Sequence, residues 1–95
     1  MTYRLKFLPV AKKEWDKLAQ PIKNQFKKKL AQRLENPHVP AARLRGYDFV
    51  YKIKLKTAGY RLAYEVIDDE VVVYVLAVGK REKNAVYKKL VSRIE

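Results

Sequence analysis

The segment that most limits how this chain folds is Val71-Val72-Val73-Tyr74-Val75-Leu76-Ala77-Val78. Eight apolar residues in a row, mostly β-branched, read as a strand buried on both faces. Such a strand lies within a sheet and has helices packed on it. Upstream, Tyr51-Lys52-Ile53-Lys54-Leu55-Lys56-Thr57-Ala58-Gly59-Tyr60-Arg61-Leu62 alternates instead. With a strand's period of two, Lys52, Lys54 and Lys56 share one face, and Tyr51, Ile53 and Leu55 share the other. After Thr57-Ala58-Gly59 the pattern resumes, with Tyr60, Leu62 and Tyr64 apolar and Arg61 on the lysine face. A two-residue loop at Thr57 and Ala58 sets Arg61 directly across from Lys54. Like charges facing each other on adjacent strands cost stability. A chain that accepts this cost has an anion to place there, and phosphate is the obvious candidate.

The rest of the chain supplies the neighbours. Residues 2–8 alternate Tyr3, Leu5 and Phe7 with Arg4 and Lys6, which predicts a short strand. Pro9 suits the first position of a helix, and Val10, Ala11, Glu14, Trp15 and Leu18 fit one ending near Ala19 and Gln20. Pro21 opens a second helix, with Ile22, Phe26, Leu30 and Leu34 at i, i+4 spacing, stopped by Asn36-Pro37. A loop over residues 38–47 carries Arg43-Leu44-Arg45-Gly46. Strands are predicted over residues 47–56, 60–67 and 71–78, with Asp68-Asp69 turning the chain between the last two. Gly79-Lys80-Arg81 leaves the sheet, and residues 82–94 form a last helix with Val86, Leu90 and Ile94 inward. The order is βααβββα, an α+β fold with a small, mostly antiparallel sheet and helices packed on it.

Charge narrows the partners. The 22 Lys+Arg against 10 Asp+Glu give a formal net charge of +12, which points to nucleic acid or an anionic surface. The 48% hydrophobic content separates the chain from a disordered basic tail, and its 95 residues suit one domain with a modest core. No cysteine is present, so disulfides and thiolate metal sites are excluded. No apolar run approaches the ~20 residues of a membrane span, and the first residues lack a signal peptide's apolar core. The expectation is a cytoplasmic basic domain.

Several segments together carry a family resemblance. They are Lys-Glu-Trp-Asp-Lys-Leu at 13–18, Leu-Arg-Gly at 44–46 and Tyr-Lys-Ile-Lys-Leu at 51–55. Gly-Tyr-Arg-Leu-Ala-Tyr at 59–64, Val-Gly-Lys-Arg-Glu at 78–82 and Val-Tyr at 86–87 complete them. In this order and spacing the chain resembles the RelE-type toxins of bacterial toxin–antitoxin pairs over nearly its whole length. The resemblance implies a ribosome-dependent endoribonuclease that cuts messenger RNA in the decoding A site without metal or cofactor. It also implies silencing by an acidic, RelB-like antitoxin, with DNA reached only through the toxin–antitoxin complex. Carried over residue by residue, the family's catalytic set falls on Lys52, Lys54, Arg61, Arg81 and Tyr87.

Cleavage of this kind needs a base for the 2′-OH, stabilisation of the phosphoryl oxygens and an acid for the 5′-oxygen. His38 is the one histidine, so a two-histidine mechanism is excluded. Crowded cations lower a lysine's pKa and suit it to act as base, and Tyr87 among the same cations is a second candidate. Arg61 reads as a clamp on the phosphoryl oxygens, since arginine stays charged. The resemblance gives Arg81 the leaving oxygen. Lys27, Lys28, Lys29 and Arg33 read as a solvated helix face touching ribosomal RNA by charge, with Arg43, Arg45 and Lys56 beside it.

Each assignment has a plainer counterpart. The lysines at 52, 54 and 56 also read as a solvated strand face, Arg81 as a loop cation and Tyr87 as a core-edge tyrosine. Trp15, Phe26 and Tyr64 read as core, and His38 as an ordinary loop residue. The Ile22, Phe26, Leu30 and Leu34 stripe reads as core, with antitoxin docking as its other use. Two further functions fit the same charge. One is a ParE-like toxin, which shares the fold but poisons gyrase; the other is a non-catalytic RNA-binding module.

Overall fold

The computed structural model describes residues 2–80 and 85–94. Four strands, β1 (Arg4–Phe7), β2 (Val50–Leu55), β3 (Tyr60–Ile67) and β4 (Val72–Lys80), form one sheet in the order β1-β4-β3-β2. β1 runs parallel to β4, while the other two pairings are antiparallel. The helices are α1 (Pro9–Asp16), α2 (Gln20–Glu35) and α3 (Ala85–Ile94), with a short 3₁₀ turn at Pro40–Ala42. The expected βααβββα order and mostly antiparallel sheet are therefore present. Arg81 and residues 82–84 of the predicted last helix lie outside the described residues, as does the side chain of Ile94.

The apolar run of β4 is covered on both faces. On one side Trp15 of α1 and Phe26 and Leu30 of α2 pack on Tyr51, Ile53, Leu62, Tyr64, Val73 and Val75. On the other, Val86 and Leu90 of α3 pack on Ala63, Leu76 and Ala77. Leu90 and Phe26 are almost wholly buried, and each such side chain contributes ~1.5–3 kcal/mol relative to exposure. The stripe on α2 is core: Phe26 and Leu30 are buried, with Ile22 and Leu34 packed against the same cluster.

Four details depart from the sequence expectation. The first strand is shorter than 2–8, because β1 pairs with β4 only over Arg4 to Phe7. The strand expected from residue 47 begins at Val50, since the Leu44 amide donates to the Val50 carbonyl (2.8 Å) and loops residues 45–48 off the ladder, while Phe49 O still accepts from Val66 N–H. The two-residue loop is instead a four-residue turn over 56–59, closed by Gly59 N–H to Leu55 O at 2.8 Å, with Gly59 at φ +72°. This leaves Lys56 in the turn, yet the register is the expected one: Lys54 pairs with Arg61. β4 starts one residue late and ends two residues late. Val71 sits at φ +56°, rare for a β-branched residue, and donates to Asp68 O in the preceding turn. At the other end Gly79 and Lys80 remain in the sheet, paired with Arg61 and Tyr60.

One irregularity shapes the second face. The β3–β4 register slips between Ala63 and Tyr64, which pair with Ala77 and Val75. Leu76 is the extra residue, and both Leu76 and Ala77 bury against α3. A bulge of this kind turns a strand locally and re-aims its side chains.

Candidate active site

The lysine face of β2 and β3 is the face on which α3 packs. Lys52 lies opposite Ala63, and Lys54 opposite Arg61, which in turn lies beside Gly79 of β4. Tyr51, Ile53 and Leu55 point to the α1/α2 core, so strand alternation alone drives Lys52 and Lys54 to the α3 side. From α3, Tyr87 places its ring over Arg61, with the guanidinium carbon 5.3 Å from the ring centre. That is cation–π geometry, which holds a guanidinium in place without using its charge-bearing N–H groups. The Arg61 Nε is buried and has no hydrogen-bond partner among the described residues.

Three hollows meet at Lys52 and Lys54. A groove of about 440 Å³ is lined by Leu44, Arg45, Tyr47, Lys52, Tyr87 and Leu90. A hollow of about 150 Å³ lies between Lys54, Lys56, Tyr60 and Arg61. A third, of about 460 Å³, crosses the open edge of β2 to Lys29 and Arg33 of α2. Among the described residues none lining these hollows is acidic. A larger hollow of about 740 Å³, beside β1, holds none of the expected site residues. The charge of Lys52, then that of Arg61, holds the Lys54 ammonium below the ordinary lysine pKa. The arrangement can grip a phosphate and offer aromatic surface to a base, with a lysine whose proton is held less tightly than usual beside them.

Lys52, Lys54, Arg61 and Tyr87 thus come together as expected, while Arg81 lies outside the described residues. Arg45 joins the Tyr47–Tyr87 groove, and Lys56 joins Lys54 at the turn. Arg43 is exposed and leans on its own loop, 3.4 Å from Tyr47 O and 3.9 Å from Asp48 Oδ1. Lys28 is exposed, while Lys27 borders an apolar groove with Leu5, Phe7 and Leu34. Arg33 is not a solvated cation. It donates to Lys52 O (3.1 Å) and Tyr64 Oη (2.9 Å), and Tyr64 donates to Pro37 O (2.8 Å). His38 is more than a loop filler, since Nε2 meets Asp68, which also accepts from Tyr3 Oη at 2.7 Å.

Two residues escaped the sequence reading. Tyr47 was assigned to a strand, and nothing local marked it as a groove wall. Glu14 carried a signal: it is an acid set among Ala11, Trp15 and Leu18 on the apolar side of α1. Its carboxylate bridges to α3, meeting Arg93 at 2.9 and 3.0 Å and Lys89 at 2.6 Å, and it accepts from Val78 N–H at 3.2 Å. Burial alone would raise the Glu14 pKa, but the bonds from Arg93, Lys89 and the Val78 amide prevail and hold it at about 2.

Comparison with known proteins gives the family. A family model described as the ParE toxin of type II toxin–antitoxin systems (parDE) matches residues 5–85. The mRNA interferase toxin RelE of Escherichia coli K12 is 52% identical over 94 residues, covering 99% of both chains. The structure of an E. coli RelE carrying two arginine-to-alanine changes, in its free state, superposes with a TM-score of 0.91 over all of both chains at 50% identity. The toxin in the intact E. coli RelBE toxin–antitoxin complex matches with a TM-score of 0.82 at 52% identity, over 85% of this chain and 99% of that one.

Proposed function

The chain belongs to the RelE-type toxins of the RelE/ParE superfamily, and from that premise we propose that it is an mRNA interferase, a ribosome-dependent endoribonuclease that blocks translation. The observation that carries the reading is the Lys54–Arg61 cross-strand pair, with Arg61 beneath the Tyr87 ring. The family model's description names ParE toxins, but the full-length 52% identity is to an mRNA interferase, and the lysine–arginine–tyrosine face suits RNA.

In the proposed reaction the 2′-oxygen of an A-site nucleotide forms a bond to its own 3′-phosphorus as the bond to the 5′-oxygen of the next nucleotide breaks. The products are a 2′,3′-cyclic phosphate and a free 5′-OH. Lys54, with its lowered pKa, is the best-placed base for the 2′-OH proton. Arg61, held under Tyr87, clamps the phosphoryl oxygens, and Lys52 adds positive charge beside them. Arg81 is assigned to the leaving 5′-oxygen by the family resemblance. Tyr47 and Tyr87 offer ring faces on which the splayed base stacks.

A lysine base and an arginine acid are poorly matched to neutral pH, and such catalysis gives only ~10²–10⁴-fold. In-line positioning contributes up to ~7–11 kcal/mol, and here the ribosome supplies it by holding the codon. Action on translating ribosomes places the protein in the cytoplasm. Its partner is an acidic antitoxin like the RelB that accompanies RelE in the E. coli complex, drawn by the +12 charge.

Primer extension on messages held in programmed ribosomes with an empty A site tests this. Wild type should cut within the A-site codon, leave naked RNA intact, and lose ~10²-fold or more in Arg61→Ala and Arg81→Ala. Equal cutting of naked RNA would overturn ribosome dependence. No cutting by a folded, ribosome-bound chain would leave gyrase poisoning or simple RNA binding.

A further inference from the structure

The Lys-Glu-Trp-Asp-Lys-Leu segment at 13–18 has no part in the proposed chemistry, although it is prominent in the sequence. Its glutamate is the hub of a charged cluster on the side of α3 away from Tyr87. Opposite Arg4 to Phe7 the edge of β4 is paired by β1, but β1 ends there and leaves the edge beyond Val75 open. Side chains close it: Glu14 accepts from Val78 N–H (3.2 Å), Arg93 donates to Leu76 O (2.8 Å) and Lys89 to Val78 O (3.3 Å). Glu14 binds both cations, Arg93 in two-pronged fashion at 2.9 and 3.0 Å. Two-pronged pairs fix orientation as well as distance. The Glu14 and Arg93 side chains are only 19% and 15% exposed, so solvent screens the pair little.

Burial of Val86 and Leu90 turns that face of α3 towards the sheet, but, being non-directional, it fixes the exact roll less sharply than a two-pronged ion pair. Tyr87 and Arg93 lie on opposite flanks of that apolar row, about 120° apart at ~100° per residue. Rolling the helix to release one flank lifts or buries the other. Gly79 is part of the same fit: a Cβ there would stand 3.1 Å from Lys89 Nζ, and Gly79 lies beside Arg61 in the sheet. We infer that Glu14 is a positioning residue for the nuclease: by anchoring Arg93 and Lys89 it sets the roll of α3 and so holds Tyr87 over Arg61. The inference rests on the nuclease reading only for its kinetic consequence; the placement of Tyr87 is open to direct observation.

The test is a double-mutant cycle of Glu14→Gln with Tyr87→Ala, read as single-turnover cleavage on programmed ribosomes. Beside it, NMR follows the contact between the Tyr87 ring and the Arg61 side chain in the free protein. Glu14→Gln should lower the maximal single-turnover rate about tenfold with the half-saturating concentration changed less than about twofold, and should weaken the Tyr87–Arg61 contact. On the Tyr87→Ala background the same change should cost less than about twofold, because the ring it positions is gone. General destabilisation would instead remove equal fractions of activity on both backgrounds, and that result overturns the inference. An undiminished Tyr87–Arg61 contact in Glu14→Gln overturns it equally. If Glu14→Gln does not fold at the assay temperature, Arg93→Lys carries the same cycle, losing the two-pronged grip while keeping the charge. If wild type fails to cut, the nuclease reading falls while the NMR contact still decides the role of Glu14.

Discussion

Arg33 shows how far a single side chain can depart from its sequence neighbourhood. It lies in a run with Lys27, Lys28 and Lys29, and composition groups all four as a solvated basic face. Its guanidinium instead reaches the sheet, donating to Lys52 O and Tyr64 Oη and lying 5.8 Å from the Tyr64 ring centre. Tyr64 is wholly buried, and its hydroxyl also donates to Pro37 O, so Arg33 joins α2, β2, β3 and the loop after α2. Burial raises the Tyr64 pKa, and Arg33 partly offsets this. Hydrogen bonds from a charged donor contribute ~1.5–3 kcal/mol, and this group is only partly buried. Arg33→Ala should therefore destabilise the fold by about 1–2 kcal/mol in urea unfolding, whereas Lys28→Ala should stay within about 0.5 kcal/mol. Arg33→Lys should recover only part of this, since an ammonium can still donate to both oxygens but loses the planar guanidinium that lies against the Tyr64 ring. Equal stabilities for the alanine variants would return Arg33 to the solvated face.

At the scale of elements, strands with a clear period were legible and junctions were not. The alternation of β2 and β3 placed Lys54 opposite Arg61, and the four-residue turn keeps that register because it is centred on the same Thr57–Ala58 bond as the two-residue one, with the same side chains buried. The start of β2 is not legible from periodicity, since the Leu44–Val50 bond that excludes Tyr47 is not a local pattern. The bulge at Leu76 left no trace in a run where every residue is apolar. The meeting of Tyr87 with Arg61 depends on how α3 docks, which periodicity cannot convey. That docking has a pH signature. Glu14 has its pKa lowered from 4.5 to about 2 in the folded chain. A carboxylate with a depressed folded pKa binds fewer protons folded than unfolded, so its contribution is complete above about pH 4.5 and is lost as pH falls towards 2. Wild type should lose stability across this window faster than Glu14→Gln, and the two denaturation curves should converge at its acid end. Parallel curves from pH 6 down to about 2 would show that the bridge to α3 carries no pH-linked stability.

At the scale of the molecule, charge differs along the length of the sheet among the described residues. The two turns at opposite ends of β3 carry opposite charge: Asp68, Asp69 and Glu70 at one, Lys56 and its neighbours Lys54 and Arg61 at the other. The basic end continues through the hollow at the β2 edge to Lys29, while Lys27, two residues earlier on α2, faces the groove beside β1. Such a basic track attracts an approaching polyanion before contact and speeds its capture. It also separates two lysines that the sequence runs together. Each phosphate neutralised by a lysine releases condensed counterions, so log K falls with log salt by ~0.7–0.9 per contact. If RNA follows the basic hollow, Lys29→Ala should weaken ribosome binding and make the salt slope shallower by roughly 0.7–0.9, whereas Lys27→Ala should leave the slope within experimental scatter. Fluorescence titration of labelled protein against vacant ribosomes across a range of salt concentrations measures both slopes. A Lys27 effect equal to that of Lys29 would mean that RNA reads net charge rather than this track, because charge alone does not distinguish two lysines on one helix.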